Sequence, residues 1–447
     1  MSATDVAAIV VGGGVAGLAA GLELQSAFGE VVVIDASDRP GGVMRTDHVS
    51  GFVIERGPST VQVKAPMLRF LKKLGLEGAL LKAQPAGRQR YVFHDRGLVQ
   101  VPTSPLGLLR TPLLSKAGKL RMLAEPLIPR GNPGSETVAR YVGRRLGSEV
   151  VSRLVGPFLT GVYAGDEDRL GAAAVFPSLT RHRSMAVGLL AQGLGRLRRR
   201  GLRGSYSSVG GLGPFARTLA ERLVEPPALR TRATALWREG SSWHVELSGP
   251  GGGRALSSPR VVVATPAAEA SQLLRSASPE VAQALAGIEY APIVGVPLGV
   301  EPAAVRTPIE GFGFLVGRDA GLQLLGCLFM SRLFENRAPE GREQLHCMLG
   351  GVRWPEAIDT PDDVLVERLY QDLDRTLGLR GEPKALAVTR WERAVAQPGC
   401  DHLKRLAAVG MRLREMPGLA LAGGYLHGVS VGDALVSGVR AARAVSG

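Results

Sequence analysis

The chain has 447 residues, 45% of them hydrophobic, with 59 glycines and 29 prolines, which is typical of a loop-rich globular protein of about two or three domains. Its formal net charge of +14 favours acidic substrates or anionic lipid as partners, or a solvated Arg-rich surface. Nucleic acid is not expected as a partner, because there is no recognisable reading motif and aromatic content is only 5%.

Cysteine usage and the N-terminal sequence indicate where the protein works. Cys327, Cys347 and Cys400 lack metal-ligand spacing, so we expect buried free thiols and no metal site. The chain runs from Met1 almost directly into an apolar strand, without room for a leader, and no uncharged run is long enough to span a bilayer. We therefore expect a cytoplasmic protein whose membrane contact, if it has one, is peripheral and at the inner face.

The first 35 residues have the pattern of a nucleotide-binding unit. An apolar run at 7–11 is followed by a glycine turn at 12–17, an Ala/Leu-rich helical pattern and a second apolar run at 31–34. Asp35, followed by Ala36, stands where a carboxylate accepts hydrogen bonds from ribose hydroxyls. This order of strand, turn, helix, strand and acid predicts a dinucleotide ligand with a free 2′-OH.

Each glycine of the turn has a mechanical role in this interpretation. Gly12 permits the tight turn, Gly14 lets a pyrophosphate approach the backbone, and Gly17 lets the helix pack closely on the sheet. Val15 and Ala16 then open the helix, whose unpaired N–H groups favour an anion.

A second glycine pair, Gly41 and Gly42, follows the acid and precedes Arg45. Its backbone N–H groups are suited to a second phosphate, with Arg45 as a counter-charge. The spacing resembles the RxGGRxxT segment of the amine oxidase-like flavoprotein superfamily, although Arg45 is displaced by one residue. In that superfamily the turn equivalent to 57–59 lies beside the flavin, so the resemblance favours FAD over NAD.

The middle of the chain alternates between helical and strand patterns. We predict, in chain order, a helix at 67–81, a hairpin at 89–93 and 98–102, a Leu-rich basic segment at 104–133, a helix at 136–155 and a glycine-punctuated turn at 156–166. The basic segment has the composition of an apolar substrate entrance, a membrane-facing surface or plain helix packing. An Arg-rich run at 193–203 is typical of a solvated linker.

The second half returns to the nucleotide-binding unit twice. We predict a strand at 260–265, then a second sheet with strands at 293–300, 311–316, 324–329 and 345–350, a helix at 361–377, a strand at 387–391 and a final strand, glycine turn and helix at 419–438. The fold class is therefore α/β: a Rossmann-like FAD-binding domain, a mixed-sheet α+β substrate domain and an inserted mainly helical domain. The predicted division is 1–88, 204–286 and 405–447 for FAD binding, 89–203 for the helical insert and 287–404 for the substrate domain.

Longer blocks make the resemblance more specific and extend it over most of the chain. Residues 161–177 resemble a GxYAGD…LS…FP block, residues 325–351 an LGTxxSSxLFPNRAP block, and residues 423–442 a GxxYxGVxxxDxxxSGRxAA block. These are blocks of the FAD-dependent protoporphyrinogen oxidase family. Met330, Arg332 and Glu335 depart from the family pattern.

The resemblance implies oxidation of protoporphyrinogen IX to protoporphyrin IX in haem biosynthesis, by three two-electron hydride transfers to FAD with molecular oxygen as acceptor. It implies that Arg90 binds a propionate, for which an Arg fork is chemically suited, that Leu298, Leu315 and Phe334 flank the macrocycle, and that Gly161 offers backbone contacts. Leu298, Leu315 and Phe334 also fit ordinary core positions. The fingerprint and the resemblance together assign cofactor binding to Gly12, Gly14, Val15, Ala16, Gly17, Asp35, Ala36, Gly42, Arg45, Gly57, Pro58, Ser59, Ala233, Ala264, Trp391, Gly424, Val429 and Val431.

Several alternatives stay open at this point. Coproporphyrinogen III, with two more propionates, would suit the basic excess, while an amine oxidase or carotenoid desaturase would share only the FAD motifs. A non-catalytic flavin-binding protein is the non-enzyme alternative. No constellation of His, Asp and Glu marks an acid or base, so no catalytic side chain is predicted. A membrane surface, a neighbouring haem-pathway enzyme and a second copy of the chain are further candidate partners.

Overall fold

The structure of the chain, a computed structural model, describes residues 4–95, 97–185, 188, 204–250, 252–381 and 383–447. The Arg-rich run at 193–203, predicted to be a linker, lies outside the described residues. The strands are β1 (Thr4–Asp5), β2 (Ile9–Val11), β3 (Val32–Ile34), β4 (Thr46–Val49), β5 (Phe52–Glu55), β6 (Val61–Gln62), β7 (Leu81–Lys82), β8 (Tyr91–His94), β9 (Gly97–Gln100), β10 (Ser205–Ser207), β11 (Arg232–Glu239), β12 (Ser242–Ser248), β13 (Arg254–Ser258), β14 (Val261–Val263), β15 (Tyr290–Val300), β16 (Gly313–Val316), β17 (Leu324–Phe329), β18 (Glu343–Gly350), β19 (Lys384–Ala385), β20 (Thr389–Ala396) and β21 (Leu419–Leu421).

Helices connect these strands and form a separate group in the middle of the chain. The α-helices of the described ranges are α1 (Val15–Phe28), α2 (Ala65–Lys73), α3 (Pro105–Arg110), α4 (Lys116–Leu123), α5 (Val138–Leu146), α6 (Ser148–Val150), α7 (Gly156–Tyr163), α8 (Ala172–Val175), α9 (Pro177–Thr180), α10 (Leu212–Ala220), α11 (Ala267–Leu273), α12 (Pro279–Ala286), α13 (Met330–Leu333), α14 (Asp362–Leu377), α15 (His402–Arg414), α16 (Gly424–His427) and α17 (Val431–Val445).

The nucleotide-binding unit is built on a parallel sheet with strand order β21-β14-β2-β3. Along β2, Val10 packs with α1 and α17 on one face, whereas Ile9 and Val11 pack with α11 and α12 on the other. This burial on both faces explains the continuous apolar runs of the sequence. Two strands of the sheet come from distant parts of the chain, so the predicted Rossmann-like α/β fold is confirmed.

A mixed sheet of eight strands forms the second layer, in the order β19-β15-β18-β17-β16-β8-β9, with β20 also paired to β15. Helix α14 covers one face of this sheet, and its leucines pack on Val294 and Val296. The hairpin β8–β9, which the predicted boundary at residue 89 assigns to the helical insert, instead extends the mixed sheet, because β8 pairs in parallel with β16. The helices of the insert begin only at Pro105.

The helical insert differs from the sequence-based expectation in two places, and the first is the helix predicted at 136–155, which is interrupted at Gly147, with φ of 95°. The glycine turn predicted at 156–166 is wrong over most of its length, because residues Gly156–Tyr163 form α7 and the turn begins at Ala164, with φ of 47°. Pro157 is tolerated in the first turn of a helix, where its missing N–H has no partner to lose.

The insert also exposes leucines, among them Leu120 (68%), Leu123 (58%) and Leu127 (84%), and membrane contact at this apolar surface stays a prediction.

A substitution at Gly17 tests the close packing between α1 and the sheet. A Cβ atom added at Gly17 would lie 1.7 Å from the carbonyl oxygen of Gly12, so a side chain forces helix and strand apart. We expect Gly17→Ala to lower the free energy of unfolding by at least about 2 kcal/mol, measured by chemical denaturation. The control is Gly410→Ala in α15, where an added Cβ meets nothing within 4 Å and stability should rise by up to about 1 kcal/mol. Equal stability of the two variants would contradict this account.

Candidate functional site

The predicted cofactor residues meet at the carboxyl edge of the parallel sheet. Gly12, Asp35, Ala264 and Gly424 each follow one of its four strands, and the carboxyl ends of parallel strands lie along one edge. The backbones are in close contact there, since a Cβ added at Gly12 would lie 2.8 Å from the Ala264 oxygen. Residues from three distant parts of the chain therefore converge on one crevice.

The glycines form a cradle without side chains at the start of α1. Gly14 and Gly42 face each other, so a Cβ added at Gly42 would lie 3.2 Å from the Gly14 Cα. The Gly41 N–H donates to the Gly13 oxygen over 2.8 Å and holds the two loops together. Gly14 gives α1 no side-chain cap and the first turn has no acidic residue, so the N–H groups of its first turn, which includes Val15 and Ala16, lack a side-chain acceptor. This arrangement fits a pyrophosphate.

Asp35 lies beside this cradle, where a ribose is predicted to bind. Its carboxylate accepts hydrogen bonds from the backbone N–H groups of Gly13 (2.5 Å) and Ser37 (2.7 Å) and from the Ser37 hydroxyl, and Ala36 lies between Asp35 and Ser37. A carboxylate has about four lone-pair sites, so acceptor capacity remains for a ribose hydroxyl. Arg45, by contrast, forms an ion pair with Asp47 at 3.2 Å and is half-exposed, and its predicted contact with a phosphate stays a prediction.

Three further predicted cofactor residues lie near elements that border the crevice. Ala233 lies in β11, just after Thr231, whose N–H donates to the Asp35 oxygen over 2.9 Å. Val429 and Val431 flank Ser430, whose hydroxyl caps α17 by accepting from the N–H of residue 433 over 3.1 Å. A side chain of the protein therefore caps the N-terminus of α17, whereas no side chain caps the N-terminus of α1.

The turn at Gly57, Pro58 and Ser59 joins the nucleotide-binding unit to the mixed sheet. A Cβ added at Gly57 would lie 1.9 Å from the oxygen of Val43, which explains the glycine. Immediately before the turn, Arg56 donates to the Thr389 hydroxyl over 3.0 Å, and its carbonyl accepts from Trp391 Nε1 over 2.7 Å. Trp391 therefore lies against the turn that is predicted to lie beside the flavin.

A buried ionic group lies under this turn. Glu55 is 2% exposed and accepts hydrogen bonds from the Thr46 hydroxyl (2.7 Å) and the Leu212 N–H (2.9 Å). Arg337 lies 3.6 Å from it and donates to Ser207 over 2.7 Å. Burial raises the pKa of Glu55 to about 7, against the lowering effect of Thr46 and Arg337.

Arg90 and Leu315 lie on the face of the mixed sheet away from α14. Leu315 fills the space beside Gly161, where an added Cβ would lie 2.4 Å from a Leu315 methyl carbon. The Arg90 guanidinium lies 4.5 Å from the centre of the Phe312 ring and is exposed to solvent. The surrounding protein lowers the pKa of Arg90, and no carboxylate of the described residues forms an ion pair with it. It is thus free to pair with an external anion.

The other two predicted substrate residues are placed differently. Leu298 is fully buried in the core between the sheet and α14, on the opposite face from Leu315, so the prediction that it lines the same pocket is wrong. Strand alternation gives the reason, because Leu345, which lies opposite Leu298, and Phe329, which lies opposite Leu345, also face α14. Phe334 is 1% exposed and packs in a cluster that includes Phe312, so any contribution to the pocket is through that neighbour.

Sequence reasoning missed several residues of this region. Phe312 supports Arg90, Thr389 receives Arg56, and Arg353 donates to the Thr160 hydroxyl over 2.6 Å and fixes α7 against the sheet. Burial and the charge of Asp433 raise the pKa of Tyr163 to about 12. Among these residues, only Thr389 could have been predicted from the sequence. It lies two residues before Trp391, and residues with that spacing share a face of a strand.

The crevice, the uncapped helix terminus and the sugar-side carboxylate define a dinucleotide-binding flavoprotein with an attached substrate domain. Residues 15–446 match the family described as flavin containing amine oxidoreductase, and the chain belongs to this family. The protein is accordingly an FAD-dependent oxidoreductase.

Named relatives match the chain over nearly its whole length. It is 28% identical to the coproporphyrinogen III oxidase of Bacillus subtilis, over 96% of each chain. It is 29% identical to the chloroplastic protoporphyrinogen oxidase of Nicotiana tabacum, over 100% of this chain and 86% of the relative. A crystal structure from Exiguobacterium sp. 255-15, of a protein proposed to be a protoporphyrinogen oxidase, is 25% identical with a TM-score of 0.80, covering 100% of this chain and 99% of that one. None of the described helices is long and apolar enough to cross a membrane.

Glu55 makes stability depend on pH in a defined direction. Its pKa of about 7 in the folded protein lies above the ordinary value of 4.5, so folding favours the protonated form. The stabilisation that protonated Glu55 gives the folded protein is therefore complete below pH 4.5 and is lost as the pH rises through 7. Relative to Glu55→Gln, we expect the wild type to lose up to about 3 kcal/mol of unfolding free energy between pH 4.5 and 8, measured by urea denaturation. Parallel pH profiles of the two proteins would refute this.

Proposed function

We propose that the protein oxidises protoporphyrinogen IX to protoporphyrin IX in haem biosynthesis. Six electrons and six hydrogens leave the substrate in three two-electron steps, and three molecules of oxygen become three of hydrogen peroxide. The observation that carries this proposal is Arg90, which forms no ion pair with a described residue and lies, like Leu315, on the sheet face that also holds Trp391. The printed names of the relatives point to the same class of substrate.

Arg90 would bind a propionate of the substrate. Its planar guanidinium is suited to a bidentate pair with a carboxylate, and the ring of Phe312 fixes its position from one side. Because the side chain is exposed and no carboxylate of the described residues forms an ion pair with it, an external carboxylate could reach the guanidinium and pair with it. This end of the site therefore orients an amphipathic ring by its acidic edge.

Leu315 and Gly161 would hold the apolar part of the macrocycle. The absence of a side chain at Gly161 lets α7 approach the sheet, while Arg353 fixes α7 through Thr160. A flat ring that lies against these packed elements would exclude water from the reacting carbon.

The cradle at Gly14 and Gly42, with Asp35, would hold FAD, which supplies a two-electron acceptor when bound. The turn at 57–59 would position the reactive ring, because Arg56 anchors the turn to Thr389 and Trp391 of the sheet. The protein's own part in the reaction is then positioning and exclusion of water.

Coproporphyrinogen III is the second candidate substrate. The Bacillus subtilis relative, a coproporphyrinogen III oxidase, matches over 96% of both chains, and the net charge of +14 suits a substrate with two additional carboxylates. The chemistry of oxidation would be identical for both substrates.

Anaerobic reduction of the bound flavin separates the candidates. We expect stoichiometric protoporphyrinogen IX to bleach the visible absorption of the holoprotein and to form a fluorescent porphyrin when oxygen is readmitted. Coproporphyrinogen III is the parallel titrant. Bleaching by the latter alone would transfer the assignment to the second candidate, and bleaching by neither would refute porphyrinogen oxidation.

Arg90→Ala should raise KM far more than it lowers kcat, because a propionate contact is made in both ground and transition states. A charge-assisted hydrogen bond predicts a rise of roughly ten- to hundredfold, measured by steady-state porphyrin fluorescence. Arg217→Ala, which removes an exposed arginine of α10, is the control for lost charge. An unchanged KM in Arg90→Ala would exclude Arg90 from the site.

A further inference from the structure

His346 is a buried polar residue without a function in the account so far. It lies in the middle of β18, where it is 4% exposed. Neither ring nitrogen has a hydrogen bond to a described residue, although buried side-chain nitrogens are normally paired. Burial lowers its pKa to about 4, so the imidazole is neutral at physiological pH, with one donor and one acceptor nitrogen.

Strand register shows which face of the sheet His346 occupies. Directly opposed residues of an antiparallel pair share a face, and His346 lies opposite Pro297 of β15. Two residues along β15, Gly295 lies opposite both Met348 and Thr389, and Ile293 lies opposite Trp391. His346 is therefore on the face of Thr389 and Trp391.

This face looks towards the turn at 57–59. Thr389 and Trp391 both contact Arg56, and Gln344, two residues before His346, donates from Nε2 to the Val53 oxygen over 3.0 Å. The contacts of Gln344 and Trp391 lie on both sides of His346 along this face. The imidazole thus points to the side of the sheet that faces the predicted flavin turn.

Gly295 leaves the space beside the imidazole open. A Cβ added there would lie 3.4 Å from His346 Nε2, and the residue has no side chain to cover this nitrogen. The described residues form no hydrogen bond with the imidazole, so a bound group beside Gly295 could use its donor and acceptor nitrogens.

We propose that His346 is a positioning residue for the cofactor, whose ring nitrogen binds the polar edge of the flavin ring, directly or through one ordered water, beside Gly295. The proposal rests on the placement of FAD against the turn at 57–59. A neutral N–H at this edge favours the negative charge that the ring gains on reduction. His346 would therefore hold the flavin ring in position and raise its midpoint potential.

The test compares His346→Leu with His346→Gln in the FAD-loaded protein. We expect the leucine variant to bind FAD roughly two- to tenfold more weakly, with shifted visible absorption bands and a lower midpoint potential, because it loses one neutral hydrogen bond. The glutamine variant keeps a donor and should restore the bands and the potential towards wild type. Fluorescence titration and dye-coupled reduction supply the measurements.

Leu345→Val is the matched control, because it shortens the neighbouring side chain of β18 on the opposite, α14-facing side of the sheet. It should lower stability without moving the absorption bands or the potential. Wild-type FAD affinity, bands and potential in His346→Leu would overturn the proposal, as would equal changes in Leu345→Val. None of these readouts uses a porphyrinogen, so failure of the substrate assignment and failure of this proposal give different results.

Discussion

Strand β5 is the constraint on which the rest of the site depends. The Val53 N–H of β5 donates to the Arg337 oxygen over 3.1 Å, in the segment after α13, and the Val53 oxygen accepts from Gln344 of the mixed sheet. Directly after β5, the Arg56 oxygen accepts from Trp391 of the same sheet. Gln344 and Trp391 lie 291 and 335 residues along the chain from the residues that they contact. The short strand therefore fixes the distance between the cofactor turn and the face of the sheet that would hold the substrate.

The buried pair Glu55 and Arg337 adds specificity to this seam rather than much stability. Removing two charges from water costs several kcal/mol, and their attraction only partly offsets that cost. Arg337 lies in the segment after α13, and Glu55 in β5, so the pair forms only when the two units are correctly joined. We interpret it as a device that sets the register of the two units, since an incorrect register leaves two unpaired buried charges.

How well the fold could be predicted from the sequence depended on the range of the interactions. The turn at 12–17 could be predicted because its motif is local in sequence, and the clash that requires Gly17 is with the nearby Gly12 oxygen. The pairing of β8 with β16 could not, because no residue near Tyr91 specifies a partner beyond residue 310. Where a turn was expected at 156–166, helix α7 packs its Gly161 against Leu315, which is also distant in sequence.

The mixed sheet shows why the candidate site was only partly predictable. In β15, Val294, Val296 and Leu298 face α14, whereas Gly295 faces the cofactor side. An apolar strand that is buried on both faces gives no periodic signal of which face is which, so Leu298 could not be distinguished from a pocket residue. The distinction comes from the partners of the strand: α14 covers one face, and Arg56 with Trp391 marks the other. A substitution at Val294, Val296 or Leu298 should therefore disturb the packing of the sheet on α14. A substitution at Gly295 should instead change the face of the sheet that lies towards the cofactor.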